Sequence, residues 1–378
     1  MIPDTAQSDC LDAVIGVRPG EALDRLRRQR DKVREGVESS FQALFSPDAP
    51  LGLTAAERLL IALHACRLSG AEGLAGTYRQ ALDLLADEAN PIRRIEAGAP
   101  LDDRFAALMA YAETLILNPI QGDQAALEAL KSASLSTGDI VALSQLVAFM
   151  SFQIRVVAGL ALLAAPVAPA NASDHDASNV LQPINAHPHV VFTLEPLAWS
   201  PWLDTVDPTA ATDNQLAVLK DSGPTATQSP YYLTLVHQPE ILRHRSNVFN
   251  AIMYAPRGLS RAERELAATV VSRINGCVYC GSVHARRYEQ LSKRNEVILQ
   301  LFADPTTAGT TDRERAVIAF SMSLTLQPER MASTDIAPLR KAGLDDLEIL
   351  DLIHSIAIFA WANRLMLSLG EPRSTKRD

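Results

Sequence analysis

Leu259-Ser-Arg-Ala-Glu-Arg264 has a near copy earlier in the chain, Leu53-Thr-Ala-Ala-Glu-Arg58, and this pair decides how the fold is read. Both stretches run on as helices with apolar periodicity. They end in Arg67-Leu-Ser-Gly70 and Arg273-Ile-Asn-Gly276, at a common offset of 206 residues. Further along, Asp103-Arg104 matches Asp312-Arg313, Asn118-Pro119 matches Gln327-Pro328, and Phe152–Arg155 lies over Trp361–Arg364, all at an offset of 209. A register held over this length implies a tandem duplication. The expected fold is all-α, with two helical domains at 1–165 and 191–378 joined by a linker at 166–190.

The change of offset has a location. Three residues of the second copy, Cys277-Val278-Tyr279, have no counterpart after Gly70. Across that gap Cys280 falls on Ala71, His284 on Ala75, and Glu265 on Leu59. Every sulfur or ionisable group at this place in the second copy is apolar or missing in the first. The first copy therefore reads as a scaffold whose site has been lost.

Composition bounds the function. A chain of 378 residues with 47% apolar and 21% charged residues has material for a large core and no case for general disorder. A formal charge of −9 argues against nucleic-acid binding, which needs a basic face. Four cysteines are too few for a disulfide framework. Met1 to Cys10 carries Asp4 and Asp9 and lacks the basic start and apolar run of a secretory signal. The apolar stretch Ile140–Ala165 is broken by Gln145, Gln153 and Arg155, so it reads as a core helix rather than a membrane span. The expected location is cytoplasmic, with no membrane partner.

Periodicity places helices in the second copy near 239–255, 260–274, 278–293, 294–303, 312–326, 333–341 and 346–368, and no run shows sustained strand alternation. Ser333-Thr334-Asp335 and Asp345-Asp346 are cap signals for the last two. Pro166 to about Pro188 has the composition of a linker. Val190 to Gly223, with Trp199 and Trp202, reads as an irregular arm covering a helical body.

The chemistry concentrates in Cys277-Val-Tyr-Cys280-Gly-Ser-Val-His284. Two cysteines three apart at a helix start sit near unsatisfied backbone N–H groups, whose positive end favours a thiolate. His284 lies one turn beyond Cys280 on the same face, where an imidazole can hydrogen-bond towards that sulfur and serve as its base. If the chain reverses at Asn275-Gly276, Glu265 lies about 15 Å back along one helix and His284 about 12 Å along the other. The carboxylate and imidazole then stand side by side, and the carboxylate can orient the ring and relay a proton. Glu263 has a match in Glu57 of the other copy, which points to a structural task instead.

Three readings of this site are open on spacing alone: a redox-active thiol pair, a zinc site lacking its fourth ligand, and inert buried cysteines. A c-type haem is excluded because His does not follow the second Cys. Cys66, His64 and His354 lie on apolar helical faces and read as satisfied core groups, while His187 and His189 flank Pro188 in the linker. There is no Gly-rich phosphate loop after a strand.

Glu265, an eleven-residue gap, Cys277-x-x-Cys280, three residues and His284 resemble the signature of the alkylhydroperoxidase D-like proteins, within the carboxymuconolactone decarboxylase superfamily. Met253-Tyr254 through Glu265 and Asn275 through Cys280 look like its peroxidase-related branch. The resemblance covers about Leu194 to Pro372 and implies an all-helical fold with thiol-dependent reduction of hydroperoxides. It implies Cys280 as the attacking thiolate, Cys277 as the resolving one, and His284 with Glu265 as the proton relay. Tyr279 stands where well-studied members have histidine, so one relay member is altered. Decarboxylase members lack the CxxC, which disfavours lactone decarboxylation. The implied partners are a hydroperoxide and an external dithiol or thiol-protein reductant, with no cofactor and no metal. The family's oligomers imply a homo-oligomer, with the chain as a pseudo-dimer and three chains forming a ring. The alternatives are a disulfide reductase or redox sensor without peroxidase turnover, and a structural or zinc-binding helical module.

Overall fold

The computed structural model describes residues 9–85, 102–165 and 190–376. Of the sequence expectations, those on residues 1–8, on His187 and His189, and on the linker up to residue 189 lie outside the described residues. The first half opens with two short helices, α1 (Cys10–Ile15) and α2 (Ala22–Arg27). It continues through α3 (Asp31–Phe45), α4 (Ala55–Leu68) and α5 (Glu72–Asp83), then α6 (Asp103–Leu117), α7 (Gln124–Ser132) and the long α8 (Thr137–Ala164). The second half runs β1 (Leu197–Pro201), α9 (Asp213–Ser222), α10 (Pro230–Leu235), α11 (Pro239–Met253), α12 (Arg261–Asn275) and α13 (Val278–Ser292). It closes with α14 (Glu296–Ala303), α15 (Asp312–Leu326), α16 (Ala337–Lys341), α17 (Asp346–Ser368) and β2 (Gly370–Ser374). The fold is all-α.

Local chemistry starts and stops these helices at matching places in the two halves. Thr54 caps α4 in a capping box with Glu57, and Ser260 caps α12 in a capping box with Glu263. Ser136 with Asp139, and Asp345 with Glu348, do the same for α8 and α17. After α4 and α12 the chain turns at Gly70 and Gly276, with φ of 63° and 78°. That left-handed backbone favours glycine and lets the next helix fold back as a hairpin.

The two longest helices, α8 and α17, pack against each other along most of their length and form the centre of the core. Gly159 sits where a Cβ would come within 2.5 Å of Ile353 Cγ2, so its missing side chain sets how closely they approach. Both helices are long and apolar enough to cross a membrane by length and composition, but 78% and 94% of their apolar windows are buried inside the protein. Helix α3 lies against α11 in a second cross-half contact, with Gly36 facing Val248.

Two buried arginines tie the halves together crosswise. Arg155 on α8 donates from Nη2 to Thr325 O at the end of α15 (2.5 Å). Arg364 on α17 donates to Leu115 O and Ile116 O at the end of α6 (2.8 and 3.1 Å). The last carbonyls of a helix lack intrahelical donors, and each half here receives those donors from the other.

The arm departs from the irregular expectation. Val190 to Gly223 contains a strand, β1, paired antiparallel with β2, as well as helix α9. Strand propensity is weak in Leu-Ala-Trp-Ser-Pro; what fixes β1 is the chain after α17, which supplies its hydrogen-bonding edge, and Trp199 Nε1–H, which donates to Met366 O (3.0 Å). The segment expected as one helix at 333–341 divides into a 3₁₀ turn at Ser333–Ile336 and α16, where Pro338 removes a backbone donor.

Candidate functional site

The hairpin α12–α13 carries the sulfur chemistry. Cys277 is the N-cap of α13 and Cys280 stands in its first turn; they are 1% and 4% exposed, and both are free thiols. The arm lies over them. Phe192 comes within 2.7 Å of the position a Cβ on Gly281 would take, and Ser282 Oγ–H donates to Glu195 O (2.6 Å). Glycine at 281 is what lets that aromatic ring reach the helix start.

Burial pushes the Cys277 thiol well above its ordinary acidity range, and the neighbouring Cys280 adds to the effect, while a hydrogen bond with Asn363 opposes it. Asn363 belongs to α17 and is itself held by Asn275 and Ser272. Cys277 thus rests as a protonated thiol at neutral pH.

His284 and Glu265 meet across the hairpin. Nδ1 of His284 is 2.5 Å from Glu265 Oε2, and the carboxylate is fully buried. Burial alone raises a carboxyl; here the His284 and Arg261 charges and hydrogen bonds outweigh it and hold Glu265 below its ordinary value. With Nδ1 engaged by Glu265, the nitrogen left for chemistry is Nε2. The opposite edge of the site is Phe359 on α17, edge-on to the His284 ring at 4.4 Å.

One expected contact is not made. Among the described residues no hydrogen bond joins His284 directly to Cys280; the imidazole's hydrogen bond goes to Glu265 instead. Tyr279 is half-buried, close enough to Cys280 and Cys277 to interact with both electrostatically, and its hydroxyl is raised by burial first and by those two sulfurs next.

Arg261 was not singled out by sequence. It donates from Nε to Glu265 Oε1 (2.6 Å) and from Nη1 to Met253 O (2.7 Å), with its guanidinium 4.0 Å above the Tyr254 ring. The signal was present, since Arg and Glu four apart on a helix face each other. Glu263 takes the structural part: it closes the capping box with Ser260 and pairs with Arg313, as Glu57 pairs with Arg104 in the first half.

Among the described residues no group of three or more His, Cys, Asp or Glu side chains is arranged to hold a metal ion. His354 departs from its reading as a satisfied core group: it is 4% exposed and its Nδ1 has no hydrogen-bond partner. Cys66 is buried, and burial pushes its thiol far up, as expected of core.

Residues 239–321, which include Glu265, both cysteines and His284, match the model of the Carboxymuconolactone decarboxylase family. An uncharacterized protein, YdfG of Bacillus subtilis (strain 168), is 25% identical over 119 residues, covering 31% of this chain and 80% of the relative. A solved alkylhydroperoxidase AhpD core, an uncharacterized peroxidase-related protein from Ralstonia eutropha JMP134, is 23% identical with a TM-score of 0.39 over 45% of this chain and 97% of its own. A second, an uncharacterized peroxidase-related protein from Silicibacter sp. TM1040, is 28% identical with a TM-score of 0.34 over 36% and 73%.

Proposed function

We propose, for a chain whose residues 239–321 match the model of the Carboxymuconolactone decarboxylase family, that it reduces hydroperoxides through a dithiol–disulfide cycle. The observation that carries this reading is the convergence of two free thiols at a helix start with an imidazole locked to a buried carboxylate. His284 stands one turn from Cys280 and nearly two from Cys277 on the same helix, so the base favours Cys280 as the attacking sulfur.

The cycle balances in three steps. Nε2 of His284 takes the Cys280 proton, directly or through one water, and the Glu265 carboxylate steadies the imidazolium. The Cys280 thiolate attacks the terminal oxygen of R–O–O–H; the O–O bond breaks, sulfur is oxidised to the sulfenic acid, and the departing alkoxide takes the proton back from His284 to leave as R–OH. Cys277 S–H then attacks the sulfenic sulfur, water leaves, and a Cys277–Cys280 disulfide remains. An external dithiol reduces it by exchange and is itself oxidised to a disulfide. Hydrogen bonds of this kind are often long before substrate binds, so the absent His284–Cys280 contact is compatible with the step.

We also read the matched caps, hairpins and crossed arginine contacts as a tandem duplication whose first copy keeps the framework alone. Constant offsets of 206 and 209 in both sequence and caps support this.

The test is one equivalent of hydrogen peroxide added to reduced protein, followed by mass spectrometry of the peptide spanning Cys277 and Cys280. Loss of two hydrogens in wild type, and a trapped sulfenic acid at Cys280 in Cys277→Ser, is the expected result. Unchanged thiols in wild type would overturn the reading.

A further inference from the structure

One cation near the sulfurs has no anion. Arg245 on α11 is only 3% exposed, and among the described residues its guanidinium makes no hydrogen bond and no ion pair. Its neighbours are two ring faces, Tyr231 at 5.6 Å and Phe249 at 5.4 Å. Arg155 and Arg364, described above, and Arg264 on α12, buried as well, all donate to carbonyls or a carboxylate. Attraction to aromatic faces recovers only part of the cost of removing a guanidinium from water. The Arg245 Nε is buried with no acceptor, and an anion would supply one.

A second orphan lies beside it. Tyr231 on α10 is 5% exposed and its hydroxyl oxygen is buried with no hydrogen-bond partner. Tyr231 interacts electrostatically with Arg245 on one side and with Cys280 and Cys277 on the other. From Arg245 a continuous aromatic wall runs through Phe249 and Phe359 (6.0 Å between rings) to His284. The unpaired cation therefore stands two rings away from His284, and the unpaired hydroxyl lies between that cation and the sulfurs.

We propose that Arg245 and Tyr231 form a recognition site for a carboxylate carried by an organic hydroperoxide, with the peroxide group directed to Cys280. This rests on the hydroperoxide reading above and narrows it to a substrate class. A planar guanidinium with free donors and an adjacent hydroxyl suit a carboxylate, and the aromatic lining between suits the hydrocarbon body. The anion belongs to the remote end of the substrate, because Phe249 and Phe359 stand between Arg245 and His284.

The experiment compares second-order rates of protein oxidation by a medium-chain hydroperoxy carboxylic acid, its methyl ester, and hydrogen peroxide. It uses wild type, Arg245→Met, Arg245→Lys and Tyr231→Phe. Wild type is expected to react at least ten times faster with the acid than with the ester. Arg245→Met removes that preference while keeping its hydrogen peroxide rate; Arg245→Lys restores part of it; Tyr231→Phe reduces it several-fold. Octanoate is expected to raise the unfolding midpoint of wild type and not of Arg245→Met, and Arg245→Met alone is expected to melt no lower than wild type, since it removes an unpaired buried charge. Equal acid and ester rates in a wild type that hydrogen peroxide oxidises, or a preference surviving in Arg245→Met, would overturn this inference alone. A wild type inert to all three peroxides would overturn the hydroperoxide reading and this inference with it.

Discussion

The hairpins α4–α5 and α12–α13 start on equivalent capping boxes and turn at equivalent left-handed glycines, yet only the second joins two thiols at a helix start to an imidazole and a buried carboxylate. Arg58 and Arg264 are both buried and both donate to carbonyls just upstream of their helices, Leu44 at the end of α3 and Pro47 in one case, Ala255 and Arg257 in the other. What differs is the lining. Leu59 is buried where Glu265 makes its ion pairs, and Ala71 and Ala75 stand where Cys280 and His284 do. The arm covers the second hairpin, whereas beside the first a largely apolar cavity of about 530 Å³ is lined by Ala71, Leu74 and Ile154 among others. The caps and turns that build a hairpin are thus separable from the groups that make it react.

The largest effect is expected at the His284–Glu265 pair. His284→Ala is expected to slow peroxide oxidation of Cys280 by about 100-fold, the usual scale for a general base, and Glu265→Gln by about tenfold, measured by rapid-mixing fluorescence. Alanine is already the residue at 75, but the position matching Glu265 there is Leu59; in the second hairpin His284→Ala leaves the buried Glu265 carboxylate with Arg261 alone, and a loss of about 1–3 kcal/mol of stability is expected beside the rate effect. Glu265→Gln carries a further signature in acid. A carboxyl held below its ordinary value adds stability that is complete above about pH 4.3, the unfolded value, and is lost as pH falls through the folded one. Thermal midpoints between pH 6 and 3 are therefore expected to fall more steeply in wild type than in Glu265→Gln. Parallel curves would remove the ionised carboxylate from the account.

Much of this was legible in the residues. Spacing put Glu265 beside His284 because two helices of known rise joined at Asn275-Gly276 leave little freedom, and periodicity placed the helix starts of the second half within two residues. Less was legible where a partner distant in sequence decides. The strand at Leu197–Pro201 depends on the chain after α17, and Arg155 and Arg364 look like polar interruptions of core helices until the opposite half supplies their acceptors. Arg245 and Tyr231 carry no motif, and their interest lies in contacts that are missing, which spacing cannot reveal.

Arg155 and Arg364 sharpen the comparison at the level of stability. Arg155→Met is expected to cost about 2 kcal/mol, since it leaves Thr325 O without its donor. Arg364→Met is expected to cost about 1 kcal/mol more, because Arg364 serves both Leu115 O and Ile116 O. Urea unfolding followed by circular dichroism measures both. A single transition is expected in each variant, because α8 and α17 still bury one core between the halves; two separated transitions would show that the halves melt independently.

The smallest effect at neutral pH is expected at His354, which shares the 209-residue offset with Gln145. Gln145 Oε1 accepts the indole N–H of Trp361 (2.9 Å), but the residue offset from Trp361 is Phe152, which has no N–H to offer His354. The imidazole is left with an unpartnered Nδ1, and burial, helped by Arg27, Arg30 and Arg264 against the pull of Asp351, pushes it down to about 3. A histidine depressed in the folded state adds stability above its ordinary value near 6.5 and loses it, by roughly 1.4 kcal/mol per pH unit, as pH falls towards the folded value. His354→Gln places the first half's own residue in the second. Its stability at pH 7 is expected within about 1 kcal/mol of wild type, but its loss between pH 6.5 and 4.5 is expected to be shallower. Denaturant titrations across that interval decide it: equal slopes would mean that His354 stays charged in the core, which its surrounding arginines make the costlier state.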